Sequence, residues 1–535
     1  MPKAAQTAAP QPSTQAPSED ARPDREEART LFAEAAALHR ANRLEKAEAL
    51  YRQLLALQPG HGGALRNLGL IALQQGEPAR ALVLLEQAVA AKPEDPQAWR
   101  SLGKVQQGQG ARDAAIASFR RALALRPNDA LHRRDLVEAL IGAGRPDDAT
   151  PEIKTYLERH PIVADPRNAK QPFSVVALYG LENPSFEIDG AGNGFSFTIN
   201  SGHFKIEDVI DHARQRLHRL FLGAASDPEA ILACPAPDVV INCIADAELE
   251  ADSLDRAQTW LKSTKAPVIN DPAQVLPTTR EQVSQRLGDL PDILFPKTVR
   301  CRIDQTESLS RAIEGAGLAL PVIVRPVESQ TGIDMRKLES DDTLAETAAD
   351  FAGREVFVID FHDFSDPADG LWRKMRLFCI DGELIPEHRL ILDHWNLHSA
   401  DRLKLMRDDK ELRLEEIRYL EDWRAMVGDK AAAALAQLHG RLKLDYFGVD
   451  FSVLPSGEVL IFEANAGMRI NRDYVGDFPY MDGYIARITD AFKMMLAKRL
   501  VARGGEASQC NSVLSQSEMP PPPLRGRIEE GGDRR

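Results

Sequence analysis

FGVDFSVLPSGEVLIFEANAGM, residues 447–468, consists of two β-type runs joined by a PSGE turn. This composition predicts a tight hairpin. If Ser456 and Gly457 are the two central residues of the turn, the strands pair in a register that places Asp450 directly opposite Glu463. Directly opposed residues lie roughly 4.5–5.5 Å apart at Cβ, so we expect two carboxylates side by side.

Asn465 is predicted to add an amide oxygen to this acidic pair. It lies two residues beyond Glu463, so strand alternation places both side chains on one face. Two carboxylates and a carbonyl oxygen suit a hard cation, Mg²⁺ or Mn²⁺, of the kind that bridges to nucleotide phosphates. The alternative interpretation is an exposed hairpin whose acids are solvated.

The composition is that of a soluble protein with room for several domains. Of its 535 residues, 43% are hydrophobic and 27% are charged. The net charge of −14 argues against general nucleic-acid binding and gives no attraction to an anionic membrane, although it is compatible with a local basic nucleotide pocket. No apolar run approaches the roughly 20 residues that span a bilayer, and residues 1–25 lack the apolar region of a secretory signal. We therefore expect a cytoplasmic protein.

Residues 26–162 repeat with a period of 34 residues. Three residue types recur at this interval: Pro59, Pro93, Pro127 and Pro161; Ala47, Ala81, Ala115 and Ala149; and Gly76, Gly110 and Gly144. Each unit has the pattern of two helices, with the glycine in the turn between them and the proline where the second helix ends. The small residues would let the two helices of a pair approach closely.

This period and pattern resemble the tetratricopeptide repeat, whose helical pairs stack into an all-α solenoid. Three units fit well, and the fourth, with Pro146 and Pro151 in its second helix, is degenerate. Arrays of this kind bind peptides or proteins, and we expect such a partner here. The alternative is that the array only oligomerises the chain or braces the domain that follows.

The two ends of the chain have the composition of disordered segments. Residues 1–25 are rich in Pro, Ala and Gln, and residues 503–535 combine a proline run with charges and no periodicity. We predict a disordered leader and a disordered tail.

Residues 172–275 alternate between strand and helix patterns. Short apolar runs predict strands at Ser174–Leu178, Asp238–Ile244 and Pro267–Asn270, and helical patterns follow at Ile206–Leu222 and Leu254–Leu261. This alternation predicts a small α/β subdomain with parallel strands.

Residues 276–502 combine predicted strands with several cations. Predicted strands contain Arg325 and Arg376, and the polar loop ESQTGIDM follows the first of them at residues 328–335. Cations beside a metal site are what a polyphosphate requires, because each negative oxygen needs a partner. Taken singly, an arginine is more often a surface charge, so the argument depends on whether these residues converge.

The order of these parts resembles the ATP-grasp ligases over roughly residues 172–500, and most closely the branch of glutathione synthetase and the ribosomal-protein glutamate ligases. The resemblance rests on PVIN at 267–270, PKT at 296–298, PVIVRP at 321–326, the strand ending at Phe361, the arginine of MRLFCIDG, and GVDFSV followed by GEVLIFEANAG. The most specific feature is the acidic spacing, in which Asp450 precedes Glu463 by thirteen residues and Asn465 follows two residues later. The implied architecture is an α+β ATP-grasp fold with a small α/β subdomain at its N-terminal side.

The resemblance implies ATP and Mg²⁺ as ligands and assigns roles to particular residues. Asp450, Glu463 and Asn465 would hold the metal. The nucleotide would be bound by Arg280, Arg325, Thr331, Gly332, Asp360, Phe361 and His362. Arg376 and Arg469 would face the γ-phosphate or acyl-phosphate oxygens, and Arg389 a substrate carboxylate. The implied reaction is attack of a carboxylate on the γ-phosphate, followed by displacement of phosphate by an amine.

Some residues depart from the family pattern. The loop at 328–335 has one glycine and carries Glu328, which would disfavour a neighbouring phosphate. Lys374 falls where an acidic ribose contact is expected. The segment 390–400, with Asp393, His394, Trp395 and His398, suggests a substrate-contact loop or a packed aromatic turn more than a metal site.

The sequence therefore predicts a carboxylate–amine ligase whose repeat array recruits a peptide or protein substrate or a partner. Two alternatives remain: an interaction scaffold with a degenerate nucleotide-binding unit, and a phosphotransferase on the same fold. The residues identify neither the acid, the amine, the partner of the array nor the oligomeric state.

Overall fold

The computed structural model describes residues 21–165, 171–182, 186–189, 196–199, 206, 209–211, 213–327, 334–398 and 401–502. The predictions made for Glu328, Thr331 and Gly332, for residues 1–20 and for residues 503–535 lie outside this range. The chain divides into two compact units: the first comprises the residues up to Tyr156 and the stretch Ile188–Ser196, and the second comprises Leu157–Glu187 and the residues from Phe197 onward.

The described part of the first unit is built from helices that follow one another in pairs. They are α1 (Ala21–Arg40), α2 (Leu44–Leu57), α3 (Gly62–Gln74), α4 (Pro78–Ala91), α5 (Pro96–Gly108), α6 (Arg112–Leu125), α7 (Ala130–Gly142) and α8 (Pro146–Arg159). Gly76, Gly110 and Gly144 occupy the turns inside the pairs at φ 78°, 77° and 74°, which is backbone that glycine adopts without strain. The predicted helical repeats and their turn positions are confirmed.

Small residues bring the helices of a pair together. A Cβ on Gly69 would lie 2.7 Å from Leu85 Cγ, and one on Gly103 would lie 2.7 Å from the ring of Phe119. Helix α1 begins at Ala21, inside the predicted leader. Helix α8 starts at Pro146 and continues through Pro151. Pro146 is the first helical residue, where a proline removes no hydrogen bond that the helix would otherwise make, whereas Pro151 lies inside the helix.

The second unit contains strands and helices in alternation. Its strands, together with the short pair β3 and β4, are β1 (Ile162–Ala164), β2 (Phe173–Gly180), β3 (Phe186–Asp189), β4 (Ser196–Ile199), β5 (Gln215–Leu222), β6 (Val239–Asn242), β7 (Val268–Ile269), β8 (Ile293–Leu294), β9 (Thr298–Arg302), β10 (Val322–Pro326), β11 (Arg336–Leu338), β12 (Glu355–Asp360), β13 (Trp372–Ile380), β14 (Glu383–Leu392), β15 (Tyr446–Val453) and β16 (Val459–Asn465). Its helices are α9 (Pro228–Leu232), α10 (Ala251–Leu261), α11 (Pro272–Val275), α12 (Arg280–Leu287), α13 (Thr306–Gly315), α14 (Leu344–Asp350), α15 (Arg402–Leu405), α16 (Lys410–Glu421), α17 (Trp423–Ala436), α18 (Leu438–Leu442) and α19 (Met481–Ala502).

These strands form three larger sheets. The first has the order β1-β5-β2-β6-β7 and is parallel except for β1. The second, β11-β10-β12-β9, is antiparallel. The third, β14-β13-β15-β16-β8, is antiparallel except for its edge strand β8. A mixed α/β region therefore follows the helical array, as expected.

One prediction about the first sheet was wrong. The helix predicted at Ile206–Leu222 is in part the strand β5, Gln215–Leu222, which lies between β1 and β2. Leu217, Leu220 and Phe221 are fully buried, and the interspersed arginines and histidine imitated a helical period. Strand β1 lies between the predicted repeats and the region that begins at residue 172, and it pairs with β5.

One apolar core runs through the second unit. It combines Val176 and Leu254, from the part predicted as a separate subdomain, with Phe447 and Phe451 of the acidic hairpin. Residues on both sides of the predicted boundary at 275 thus contribute to the same core. A smaller core lies between the second sheet and helices α13 and α14. In the part of the chain that the structure describes, no helix is long and apolar enough to cross a membrane.

Candidate functional site

The acidic hairpin forms, but its turn differs from the prediction. The Leu454 N–H donates to Glu458 O at 2.9 Å, and Val453 pairs with Val459, so the loop has three residues instead of two. Gly457 has φ 81°, as expected for the left-handed last residue of a three-residue loop. The predicted two-residue turn, with Ser456 and Gly457 as its central residues, was therefore wrong.

A β-bulge restores the predicted opposition of the acids. The register shifts by one residue between Phe451, which pairs with Ile461, and Asp450, which pairs with Glu463. Phe462 is the additional residue, and its carbonyl accepts a hydrogen bond from Arg280 Nη1 at 3.0 Å. Asp450 and Glu463 therefore face each other because a longer loop and a bulge compensate for one another.

Asp450 is held by a bidentate ion pair with Arg376 of the neighbouring strand β13. Arg376 Nε lies 2.6 Å from Oδ1 and Nη2 lies 2.9 Å from Oδ2. Lys374 Nζ lies 3.6 Å from the same Oδ2. Burial alone would raise the pKa of Asp450, which is 4% exposed, but Arg376 and Lys374 hold that pKa well below its usual range.

Glu387 is a second buried acid beside Arg376, and sequence reasoning missed it. Its carboxylate is fully buried, lies 3.5 Å from Arg376 Nη1 and 3.0 Å from His388 Nδ1, and accepts the Asn471 N–H at 2.7 Å. A charged residue inside the apolar run LIPEHRLIL was the signal that could have found it, because a buried carboxylate must be paired.

The position of Glu387 results from a second bulge, in strand β14. Leu377 pairs with Pro386, whereas Arg376 pairs with His388, so Glu387 is the additional residue. In an unbulged ladder Arg389 would lie opposite Lys374, on the face of Arg376. With the bulge it lies opposite Met375 on the other face.

Arg389 consequently lines neither of the cavities that Asp450 and Glu463 line. Its Nη2 lies 2.8 Å from Glu415 Oε1, and it lines a different cavity, together with Met375 and Arg373. In this position Arg389 is paired with Glu415 and does not face the space that Arg376 lines.

The other predicted site residues that the structure describes line one cleft. Two adjoining cavities of about 260 Å³ and about 360 Å³ share Arg280, Arg325, Arg376 and Glu463 in their walls. The larger cavity is also lined by Asp360, Phe361, His362, Lys374 and Asp450. The smaller is also lined by Asn465 and Arg469. Arg469 is 42% exposed at its side chain and pairs with Asp473 at 3.1 Å.

The cations of the cleft lie close to one another. Burial and the neighbouring Arg280 lower the pKa of Arg325 to about 10, against the opposing effect of Glu463. Arg325 nevertheless remains charged at neutral pH. A buried cation with a second cation beside it favours an anion in the space that both of them line.

The wall of the larger cavity carries aromatic side chains. Trp395 contacts Phe361 edge to face, with ring centroids 5.9 Å apart, and Lys337 Nζ lies 4.0 Å from the centre of the Phe361 ring. Asp360 Oδ2 lies 3.2 Å from His362 Nε2. Trp395, which the sequence suggested as part of a substrate loop, thus lies on the same wall as Phe361.

The acidic residues fit a divalent cation in type and position, with one conflict. Glu463 has no cation within 4 Å among the described residues, and each Asp450 oxygen keeps a second lone pair. The conflict is that Arg376 already neutralises Asp450. Asn465 Oδ1 accepts the Gly467 N–H at 2.8 Å, and its Nδ2 lies 3.3 Å from Glu463 Oε1, so the predicted amide oxygen is directed to the backbone. Within the described ranges, no three His, Cys, Asp or Glu side chains form a ready metal cluster.

Arginines also recur in the first unit, at Arg66, Arg100 and Arg134 on the first helices of successive repeats. Arg100 pairs with the fully buried Asp135 of the next repeat, and Lys104 Nζ lies 2.8 Å from the same residue. These ion pairs join neighbouring repeats.

A family model described as the tetratricopeptide repeat matches residues 38–105 and 107–166. The N-terminal region is a tetratricopeptide-repeat array. The family match ends at residue 166 and concerns the array alone.

Several solved structures are similar to part of the chain. One is YrrB, described as a TPR protein with an unusual peptide-binding site, at 25% identity over 26% of this chain and 72% of that chain, with a TM-score of 0.24. Another is MamA from Desulfovibrio magneticus RS-1, at 24% identity over 26% of this chain and 78% of that chain, with a TM-score of 0.23. PilF of Pseudomonas aeruginosa is 17% identical over 25% of this chain and 62% of that chain, with a TM-score of 0.24. No curated protein matches the chain.

Proposed function

We propose that this protein is an ATP-dependent carboxylate–amine ligase whose repeat array recruits a peptide or protein substrate. The observation that carries the proposal is the meeting of Arg280, Arg325 and Arg376 with Asp450 and Glu463 in one cleft. These residues come from four separate stretches of the sequence. Their convergence favours a polyphosphate ligand over an exposed hairpin with solvated acids.

The cleft offers a different environment to each part of a nucleotide. Phe361 and Trp395 give an apolar wall for a base, and Asp360 lies at its edge. The arginines shared by the two cavities would neutralise the phosphates. The smaller cavity, which Arg469 also lines, would hold the carboxylate and the amine beside the terminal phosphate.

In the proposed reaction a substrate carboxylate attacks the γ-phosphate of ATP and ADP leaves. An amine then displaces phosphate from the acyl-phosphate, and the amine proton passes to solvent. The residues of the cleft bind, orient and neutralise charge, and no side-chain nucleophile is required. Asp450 and Glu463 would hold Mg²⁺, which would supply further charge neutralisation for the phosphates.

In this proposal the repeat array binds the peptide or protein partner. Solenoids of this type present an extended surface built from successive repeats, and the family match supports a role in protein interaction. We infer that the array brings the acid or amine substrate to the cleft as part of a peptide or protein.

A turnover assay with matched variants tests the proposal. Full-length protein is incubated with Mg-ATP and mixtures of amino acids and peptides, while ADP, phosphate and new conjugates are measured. We expect ADP, free phosphate and an amide product, and we expect Asp450→Asn and Glu463→Gln to abolish all three. Glu458→Gln is the control, because Glu458 lies in the same hairpin and its carboxylate contacts Ser456 outside the cleft.

Two other outcomes would contradict the proposal. Transfer of the γ-phosphate to a stable product would identify a phosphotransferase. If no mixture gives turnover and calorimetry detects no ATP binding, the protein is a scaffold in which the repeats carry the function.

A further inference from the structure

Arg376 lies between two buried carboxylates on neighbouring strands. It makes two short contacts with Asp450, at 2.6 and 2.9 Å, and one longer contact with Glu387, at 3.5 Å. The regular pairing of β13 with β15 places Asp450 opposite Arg376, and the bulge in β14 leaves Glu387 beside it.

This arrangement disfavours binding of a free cation at Asp450. Asp450 shares its charge with Arg376 and Lys374. A divalent ion that approached Asp450 would therefore be repelled by two positive side chains. Among the described residues, Glu463 is the other carboxylate near it, and no cation lies within 4 Å of Glu463.

Arg376 also lines the space in which a phosphate would be bound. It forms part of the wall of both cavities, as do Arg280 and Arg325. A guanidinium that turned from Asp450 to a phosphate would exchange one charge-assisted bidentate partner for another. Glu387 would remain beside it, so the buried arginine would not lose its only acid.

We propose that Arg376 sets the order of binding: without nucleotide it occupies Asp450 and excludes the divalent cation, and a nucleotide phosphate draws it away so that the cation binds Asp450 and Glu463. In this scheme Glu387 is a positioning residue, which competes with Asp450 for the guanidinium. The inference rests on the proposed nucleotide site, but it concerns the order of binding and not the reaction.

The proposal predicts opposite effects of two substitutions on cation binding. Binding of Mn²⁺ to full-length protein is measured by electron paramagnetic resonance, without nucleotide and with AMP-PNP. For the wild type we expect weak binding alone and strong binding with AMP-PNP. Arg376→Met should strengthen nucleotide-free binding by about tenfold or more, because a competing positive charge is lost. Glu387→Gln should weaken it, because Arg376 then pairs with Asp450 alone.

Matched variants separate this effect from general damage to the fold. Arg389→Met removes another buried, acid-paired arginine from the adjacent strand, on the opposite face of the sheet, and should leave Mn²⁺ binding unchanged. Arg376→Lys keeps a positive charge but loses the bidentate fork, and should give an intermediate increase in Mn²⁺ binding. This variant provides the test if Arg376→Met does not fold.

The results distinguish failure of this inference from failure of the proposed function. If Mn²⁺ binds strongly with AMP-PNP and Asp450→Asn removes that binding, but a folded Arg376→Met or Arg376→Lys protein shows no gain without nucleotide, the binding order is wrong and the proposed site stands. If the wild type binds no Mn²⁺ even with AMP-PNP, both are wrong.

Discussion

Asp450 and Glu463 are direct partners across strands β15 and β16, although the loop between the strands is one residue longer than a two-residue turn. The added loop residue shifts the strand register by one residue, and the bulge at Phe462 shifts it back. The acids on which the site depends thus owe their alignment to two irregularities and not to a regular hairpin.

The loop of this hairpin makes a first prediction about stability. Gly457→Ala should lower the free energy of unfolding of the second unit by about 1 kcal/mol, because φ 81° disfavours a residue with a Cβ. Urea unfolding followed by tryptophan fluorescence is suitable, since Trp260, Trp372, Trp395 and Trp423 all lie in this unit. Gly315→Ala is the control. Gly315 ends helix α13 and has open space around it, so equal losses in the two variants would refute the argument.

The repeats could be predicted from the sequence because their constraints are local and recur. Gly76 and its equivalents need a positive φ, and Gly69 and Gly103 need close approach to the paired helix. Each requirement selects a residue type at a fixed interval. No comparable repetition exists in the second unit, where burial depends on partners distant in the sequence.

Strand β5 shows how that dependence misled the prediction. Polar residues such as His218 and Arg219 interrupt its apolar pattern, yet His218 is buried and Arg219 Nη2 lies 3.7 Å from Asp165. The pairing that makes this strand possible comes from β1 and β2, which are not adjacent to it in sequence. A window of local residues therefore favoured a helix.

Bulges set a similar limit at the candidate site. The spacing in the hairpin predicted that Asp450 lies opposite Glu463, which the structure shows. The position of Arg376 opposite Asp450 was not predicted, because it depends on the pairing of β13 with β15, which are distant in the sequence. The bulge at Glu387 leaves no sequence signal of its own, and it reverses the face on which Arg389 lies. One additional residue in a strand thus moves Arg389 to the other face and leaves Glu387, which was not predicted, beside Arg376.

Arg325 should contribute to nucleotide affinity. Arg325→Met removes a buried cation from the wall shared by the two cavities, and should weaken AMP-PNP binding by about 2 kcal/mol, or roughly 30-fold in Kd. Isothermal titration calorimetry measures this directly. Arg302→Met, on strand β9 of the same sheet, removes an exposed arginine paired only with Asp304 at 3.2 Å among the described residues, and should have no effect. Equal affinities for wild type and Arg325→Met would remove Arg325 from the site.

Trp395 should report nucleotide binding by its fluorescence. It lies in the wall of the larger cavity beside Phe361, so a base bound there would change its emission. Trp395→Phe should lose most of the fluorescence change on addition of AMP-PNP, whereas Trp260→Phe should keep it, because Trp260 is buried in the apolar core. A full change in Trp395→Phe would place the base elsewhere.

His132 should make the stability of the array depend on pH. It is fully buried, and burial lowers its pKa, opposed by Asp129. The charged groups around it are Asp129, Arg100, Asp135 and Arg126. The folded state thus binds a proton less readily than the unfolded state, whose histidine pKa is about 6.5. The stability it contributes is present above that pH and is lost as the pH falls toward the lower folded pKa.

Thermal unfolding followed by circular dichroism at pH 7.5 and pH 5.5 tests this expectation. The wild type should unfold at a lower temperature at pH 5.5, and His132→Gln should show a smaller difference between the two pH values. His39→Gln, which replaces a partly exposed histidine of helix α1, should retain the wild-type difference. An unchanged difference in His132→Gln would show that other groups control the pH dependence.

The most direct test of the central claim is a crystal structure of the full-length protein with AMP-PNP and Mn²⁺, in which the metal is located by its anomalous scattering. We predict an anomalous peak in contact with Asp450 and Glu463, with the phosphates against Arg280 and Arg325 and the base beside Phe361 and Trp395. A nucleotide bound outside this cleft, or a cleft that stays empty at saturating AMP-PNP, would contradict the claim that these residues form a nucleotide site.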